Sequence, residues 1–266
     1  MRILDFPLWF FLYSFVGWAW ETALFTVQER RFINRGFLIG PFCPIYGFGA
    51  LLLLLVLENR VSDVFALFFI AVFLTTALEY LTAVILENLF QAEWWDYSMF
   101  PLNYKGRISV ISSAVFGLFA VLQIKLLHPF VRSLTDRMPV RLKSIILFIV
   151  IIYLFVDITL TLRHIFVLNG RLSEIQGALN AFFGKYYKRA GELKNSILVS
   201  FEESEFYSEQ IKTLFNLDRI QNRRMIRAFP KLRSFLYDDA LKKLKARVLS
   251  KNEKSSNQDD QKDQIA

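Results

Sequence analysis

The chain has 266 residues, 54% hydrophobic and 16% aromatic, and its mean hydropathy of +0.35 excludes a soluble domain of that length. A single cysteine excludes a disulfide framework, and that thiol with only two histidines, His128 and His164, argues against a structural zinc site. The net charge of +8 is uneven, with 19 Lys and Arg against 13 Asp and Glu in residues 171–266. A basic tail suits an anionic membrane face. Nucleic acid is disfavoured as its partner because no recognition motif accompanies the charge.

Five apolar windows of roughly 20 residues suit a hydrocarbon core of about 30 Å. They fall at residues 6–27, 37–57, 64–86, 108–127 and 144–168. The first opens with Met1-Arg2 but lacks a small-residue cleavage site, so it reads as a retained span. The second follows Gly36 and carries Gly40, Pro41, Pro44, Tyr46 and Gly47, so its glycines and prolines break a helix where a bilayer demands a regular one. Carbonyls left without partners cost several kcal/mol in hydrocarbon, so this backbone must face protein or a polar cavity. Discontinuous membrane helices are where transporters place their sites. Glycines four apart, Gly36 and Gly40, also permit close helix packing.

Between the third and fourth windows, Trp94, Trp95, Asp96, Tyr97 and Asn103 read as an interfacial aromatic segment. Past Asn169-Gly170 the pattern changes to apolar stripes at helical spacing: Leu172, Ile175, Leu179, Phe182 and Tyr186, then Tyr207 to Phe215, then Leu232 to Val248. The expected organisation is therefore all-α: a membrane bundle of about five helices over 1–170, an amphipathic helical tail over 171–250, and a disordered terminus over 251–266. Six basic residues flank the spans on either side, so charge sets no orientation. The tail is expected inside the cell because 37–57 is charge-free and long enough to cross. The basic run Arg219 to Arg233 is expected to dock on anionic lipid.

Charged groups inside the spans are expensive in lipid and normally face the bundle interior. Glu21 lies late in the first span. Glu79 lies in the third with Thr75 and Thr82 on its face, and Asp157 in the fifth, followed by Arg163. With Arg35 and Arg107 entering spans from the tail side, the spacing predicts acids facing arginines at one depth. Two readings follow: structural ion pairs that lock helices together, or the lining of a polar vestibule, with protonation of Glu79 as a variant. No P-loop, HExxH, GxSxG or recognisable triad is present, so catalysis and a cofactor are not expected.

Gly17-Trp18-xx-Glu21, Asn34-Arg35-Gly36-Phe37-Leu38-x-Gly40-Pro41-xx-Pro44-Ile45-Tyr46-Gly47, Glu79-Tyr80-x-Thr82, Trp95-Asp96-Tyr97 and Asn103-xx-Gly106-Arg107 stand in this order along the chain. With Asn222-Arg223-Arg224-x-Ile226-xx-Phe229-Pro230 in the tail, this series resembles the bacterial ABC-transporter permease family labelled CmpB-like or type IV. The resemblance implies a multi-pass cell-membrane permease working with a separate ATP-binding subunit. It also implies a cytoplasmic coupling surface, for which the loop 129–143 or the tail would serve. Few spans suggest a homo-oligomer or hetero-complex. The alternatives are a membrane scaffold that recruits partners through its tail, and a membrane enzyme acting on lipid.

Overall fold

A computed structural model describes residues 3–187 and 220–246. Six helices dominate the described residues: α1 (Asp5–Glu29), α2 (Pro44–Leu57), α3 (Val64–Phe90), α4 (Val110–Leu122), α5 (His128–Arg137) and α6 (Val140–Tyr187). A π-helical turn, Gln123–Leu127, joins α4 to α5 without a break. The widened turn immediately precedes Pro129, whose missing N–H leaves the helical ladder one donor short. Packing divides the chain into two units, Met1–Thr161 and Leu162–Ala266, with the division inside α6.

Among the described residues, four stretches are long and apolar enough to cross a membrane: Asp5–Glu29, Val64–Phe90, Val110–Arg137 and Val140–Gly177. The first unit is apolar on its outside as well as its inside. Phe65, Phe69 and Phe73 form a bare stripe on α3, and Phe148 and Phe155 are equally bare on α6. Such a surface suits lipid tails, which remove no more free energy from an exposed Phe than a protein core would. The interior gathers Trp9 and Tyr13 of α1, Leu53, Leu54 and Leu57 of α2, Leu67 and Ala71 of α3, and Ala120 of α4. Small residues set the close approaches. A side chain at Gly117 would strike Val72 and Phe68 of α3, and one at Gly47 would meet the Phe10 carbonyl of α1 at 2.6 Å. Thr76 donates to Ser113 Oγ at 2.7 Å across the α3–α4 seam.

Helix ends follow local chemistry. Asp63 caps α3 by accepting from the Ala66 N–H at 2.7 Å. Ser109 and Ser112 form a reciprocal capping box at the start of α4. Just before it, an antiparallel pair sets Asn103 opposite Ser109 and Tyr104 opposite Ile108. The turn between them needs Gly106 at φ +68°.

Three expectations change. The window 37–57 is not one helix: residues 31–43 are irregular and α2 starts only at Pro44, as proline at a first helical turn favours. Its 14 residues rise about 21 Å, short of the roughly 30 Å of a hydrocarbon core. The expected loop 129–143 is almost wholly helical, with only Met138 and Pro139 outside α5 and α6. Nor does the chain break at Asn169-Gly170, because α6 continues to Tyr187. One mid-helix glycine costs only about 1 kcal/mol, too little to end a helix with long apolar flanks.

In the second unit, the described residues comprise the end of α6, a helix at Ile220–Ala228 and another over 238–246. Leu172, Ile175, Ile226, Leu232, Ala240 and Leu244 are buried, whereas Phe235 and Leu236 of the expected stripe are exposed. Gln176 Oε1 accepts from the Ala240 N–H at 3.2 Å, and Lys245 Nζ donates to the Pro230 carbonyl at 2.6 Å. The expected stripe from Tyr207 to Phe215 and the terminus 251–266 lie outside the described residues.

Candidate functional site

The irregular segment 31–43 runs back along α1 and is held there by side chains rather than by its own ladder. Thr26 Oγ1 accepts from the Ile33 N–H at 3.2 Å, and one turn deeper Thr22 Oγ1 accepts from the Arg35 N–H at 3.4 Å. Asn34 closes the local loop. Its Oδ1 accepts from Trp18 Nε1 at 2.8 Å and from the Gly36 N–H at 3.1 Å, while its Nδ2 donates to the Ile39 carbonyl at 2.7 Å. Deeper still, the Cys43 N–H donates to the Ser14 carbonyl at 3.0 Å. From Thr26 to Ser14 is twelve residues of α1, so the segment descends about 18 Å beside it.

Asp157 of α6 completes this support. Its two carboxylate oxygens accept from the Ile39 and Gly40 N–H groups, each at 2.9 Å. Thr161 Oγ1 also accepts from the Ile39 N–H, at 3.2 Å. Two buried amide donors that no helix satisfies thus meet an anionic acceptor, as backbone in hydrocarbon requires. The approach is tight: a β-carbon at residue 40 would stand 2.7 Å from Asp157 Oδ2 and would clash with the Tyr153 hydroxyl. Asp157 therefore holds the broken backbone in place, and Gly40 is the residue that lets it approach.

Beside this support lies a polar group drawn from three helices, the irregular segment and the loop between α3 and α4. Tyr46, at the start of α2, donates to Glu21 Oε1 of α1 at 2.6 Å. Arg35 lies over the Phe25 ring at 4.0 Å and within electrostatic reach of Glu21, Tyr46 and Tyr97. Burial lowers the Arg35 guanidinium from its ordinary value, and the Glu21 charge opposes that shift. Tyr97, from the loop between α3 and α4, donates to Glu79 Oε1 at 2.9 Å. Burial first, and then the charge of Glu79, raise the Tyr97 phenol well above its ordinary range, so it remains a donor. Glu79 is 5% exposed, and among the described residues its Oε2 is buried with no hydrogen-bond partner.

The expected meeting of acids and arginines is thus divided. Glu21 and Arg35 come together. Arg107 turns instead to Glu87, a residue the sequence reading passed over, through Nε at 2.9 Å and Nη2 at 2.6 Å. Its Nη1 donates to Tyr80 at 3.2 Å. The hydrogen bonds that Arg107 donates to Glu87 raise its guanidinium further still. Glu87 lies eight residues after Glu79 on α3, so the same helical face was the available signal. Thr75 and Thr82 donate back to their own helix, at the Ala71 and Leu78 carbonyls, both at 2.8 Å. Arg163 is exposed and belongs to the second unit.

The residues expected at the interface fold the 91–107 loop. Trp94 is buried against Phe37, with ring centroids 4.9 Å apart, and Trp95 Nε1 donates to the Arg107 carbonyl at 2.9 Å. Asp96 accepts from the Ser98 N–H at 2.8 Å, and Asn103 Nδ2 donates to the Phe100 carbonyl at 2.8 Å. The Tyr97 N–H donates to the Gly106 carbonyl at 2.8 Å, which fixes the tyrosine that reaches Glu79.

At the opposite end of the bundle the sequence reading named no site, yet polar groups gather there too. Glu58 Oε1 meets Arg132 Nη1 at 3.1 Å and His128 Nε2 at 3.3 Å. The other His128 nitrogen and the Tyr13 hydroxyl share a 3.0 Å hydrogen bond. Trp9 Nε1 donates to Thr135 Oγ1 at 3.2 Å, and Asp5 forms an ion pair with the fully buried Lys143. Sequence alone placed Asp5 and Lys143 outside the spans. Among the described residues, no three His, Cys, Asp or Glu side chains gather in a way that would hold a metal ion.

Compared with known proteins, residues 8–162 match the model of a family described as "Putative ABC-transporter type IV". No curated protein and no solved structure matches the chain.

Proposed function

The chain belongs to this ABC-transporter type IV family, and from that premise we propose that it is the membrane-embedded permease subunit of a transport system whose ATPase is a separate chain. One observation carries the reading. A broken membrane segment is held along α1 by side-chain hydrogen bonds, and Glu21, Tyr46, Arg35, Tyr97 and Glu79 gather beside it. Transport sites are built where discontinuous helices leave backbone and polar side chains inside a bundle. In this reading Asp157 and Gly40 hold the break, and Glu21, Arg35 and Glu79 face the path. The chain itself performs no catalysis. The tail is cytoplasmic, lays its basic run from Arg219 to Arg233 on anionic lipid and offers the coupling surface.

Affinity purification of the tagged full-length chain from native membranes in mild detergent, followed by mass spectrometry, tests this. A stoichiometric ATP-binding protein in the eluate is expected. Repeated recovery of intact, folded protein without one contradicts the reading. A non-transporting scaffold is the second reading, favoured by the closed pairs Arg107–Glu87 and Lys143–Asp5. It predicts that non-ATPase partners are recovered through the tail.

A further inference from the structure

The charges around the broken segment do not balance when every carboxyl is ionised. Glu21 and Arg35 lie within each other's field and cancel. Glu87 and Arg107 cancel through a bidentate pair. Glu79 adds one further negative charge. No lysine, arginine or histidine forms an ion pair with it among the described residues, and its one recorded hydrogen bond comes from Tyr97. An ionised carboxylate so buried, with one oxygen unpartnered, is the costly arrangement that proteins avoid by neutralising the group.

We infer that Glu79 is a proton-binding site, with the proton on Oε2 and Tyr97 as the cap that separates it from water. Protonation moves one hydrogen ion from the aqueous face to Oε2 and takes the charge of the Glu79 side chain from minus one to zero. No other bond is made or broken. A metal ion fits worse. Around Glu79 the oxygens of Thr75 and Thr82 are turned to their own helix and Thr76 is turned to Ser113, which leaves too few donors for a cation shell.

Tyr97 of the loop faces Glu79 directly; Glu21 of α1 and Arg35 of the irregular segment act on Tyr97, and Tyr46 of α2 and Cys43 act on Arg35. On α3 itself Tyr80 and Glu87 are engaged by Arg107. Tyr97 is the link among them, since it donates to Glu79 and feels the charges of both Glu21 and Arg35. Withdrawal of the 91–107 loop would therefore uncover Glu79 and bring the Glu21–Arg35 pair into contact with the same water. As a protonation site Glu79 stands on burial and hydrogen bonding alone. As a step in transport it rests on the permease reading.

Infrared difference spectra of the full-length protein in liposomes, taken between neutral and alkaline buffer, test the inference directly. The expected result is a protonated-carboxyl C=O band in neutral buffer that Glu79→Gln removes. Tyr97→Phe keeps Glu79 in place but deletes the hydrogen bond that favours its ionised form, so the band should persist further into alkaline buffer. The inference is overturned if Glu79→Gln leaves the neutral spectrum unchanged. It is also overturned if Tyr97→Phe weakens the band, or if exchanging potassium for sodium at fixed pH displaces the proton. None of these outcomes depends on an ATPase partner, so failure here and failure of the permease reading are separable.

Discussion

At the end of the bundle where α1 and α6 begin, buried acids meet bases: Asp5 meets Lys143, and Glu58 meets Arg132 and His128. At the end where α2 and α4 begin, the acids are treated unequally. Glu87 meets Arg107, Asp157 meets two backbone amides, Glu21 meets a tyrosine with an arginine nearby, and Glu79 meets a tyrosine alone. A closed pair removes its own charge from the bilayer and has little left to exchange. A carboxyl with one neutral donor and one bare oxygen can still take up or release a proton. On the proposed reading the first end holds the bundle together, and the second combines holding with proton exchange.

The contrast can be broken most forcefully at Lys143. Lys143→Met removes the ammonium that the buried Asp5 carboxylate faces and should cost about 3–5 kcal/mol of stability. Neutralising both partners, as Asp5→Leu with Lys143→Met, should recover most of that loss. Denaturant unfolding in one detergent, followed by circular dichroism, reads both. Equal stability of the single and double variants would show that the pair is not what closes this end.

Asp157→Ala should come next, at about 2–4 kcal/mol, because the Gly40 amide would lose its acceptor and the Ile39 amide would keep only Thr161 Oγ1. Asp157→Asn should lose less, since one amide oxygen remains. Hydrogen exchange at these two amides should accelerate in the alanine variant, and unchanged protection would remove Asp157 from its supporting role. Gly40→Ala should cost about 1–3 kcal/mol by pushing on Tyr153 and Asp157. Tyr153→Phe should restore part of the loss by removing the hydroxyl in the way. Arg107→Lys should cost about 1–2 kcal/mol, since an ammonium cannot reproduce the two-pronged contact with Glu87.

Hydropathy made the long helices legible, because a bilayer imposes length and apolarity on any span and both survive in one dimension. The break at Pro41 and Pro44 was legible for the same reason that proline always is: it lacks a donor. Its consequence was not. The acceptor for the orphaned amides of Ile39 and Gly40 is Asp157, more than a hundred residues away, and no local pattern encodes that pairing. Glu79 and Glu21 stood out as acids within apolar runs, whereas Glu87 escaped notice near a helix end where charge is cheap. Asp5 and Lys143 fall just outside the apolar windows, and only the meeting of two helix starts makes them interior. Asn169-Gly170 suggested a boundary from composition, but α6 runs through it.

The smallest expected effect tests the contrast most directly. Glu79→Gln and Asp5→Asn make the same chemical change, a carboxyl to an amide, at the two ends of one bundle. Their unfolding free energies should be measured side by side in the same detergent. The account predicts that Glu79→Gln stays within about 0.5 kcal/mol of the parent or exceeds it, because the amide mimics a carboxyl already neutral. It predicts that Asp5→Asn falls by about 3 kcal/mol or more, because Lys143 is left buried without a counter-charge. Equal losses in the two variants would contradict the account, since Glu79 would then be one more structural charge.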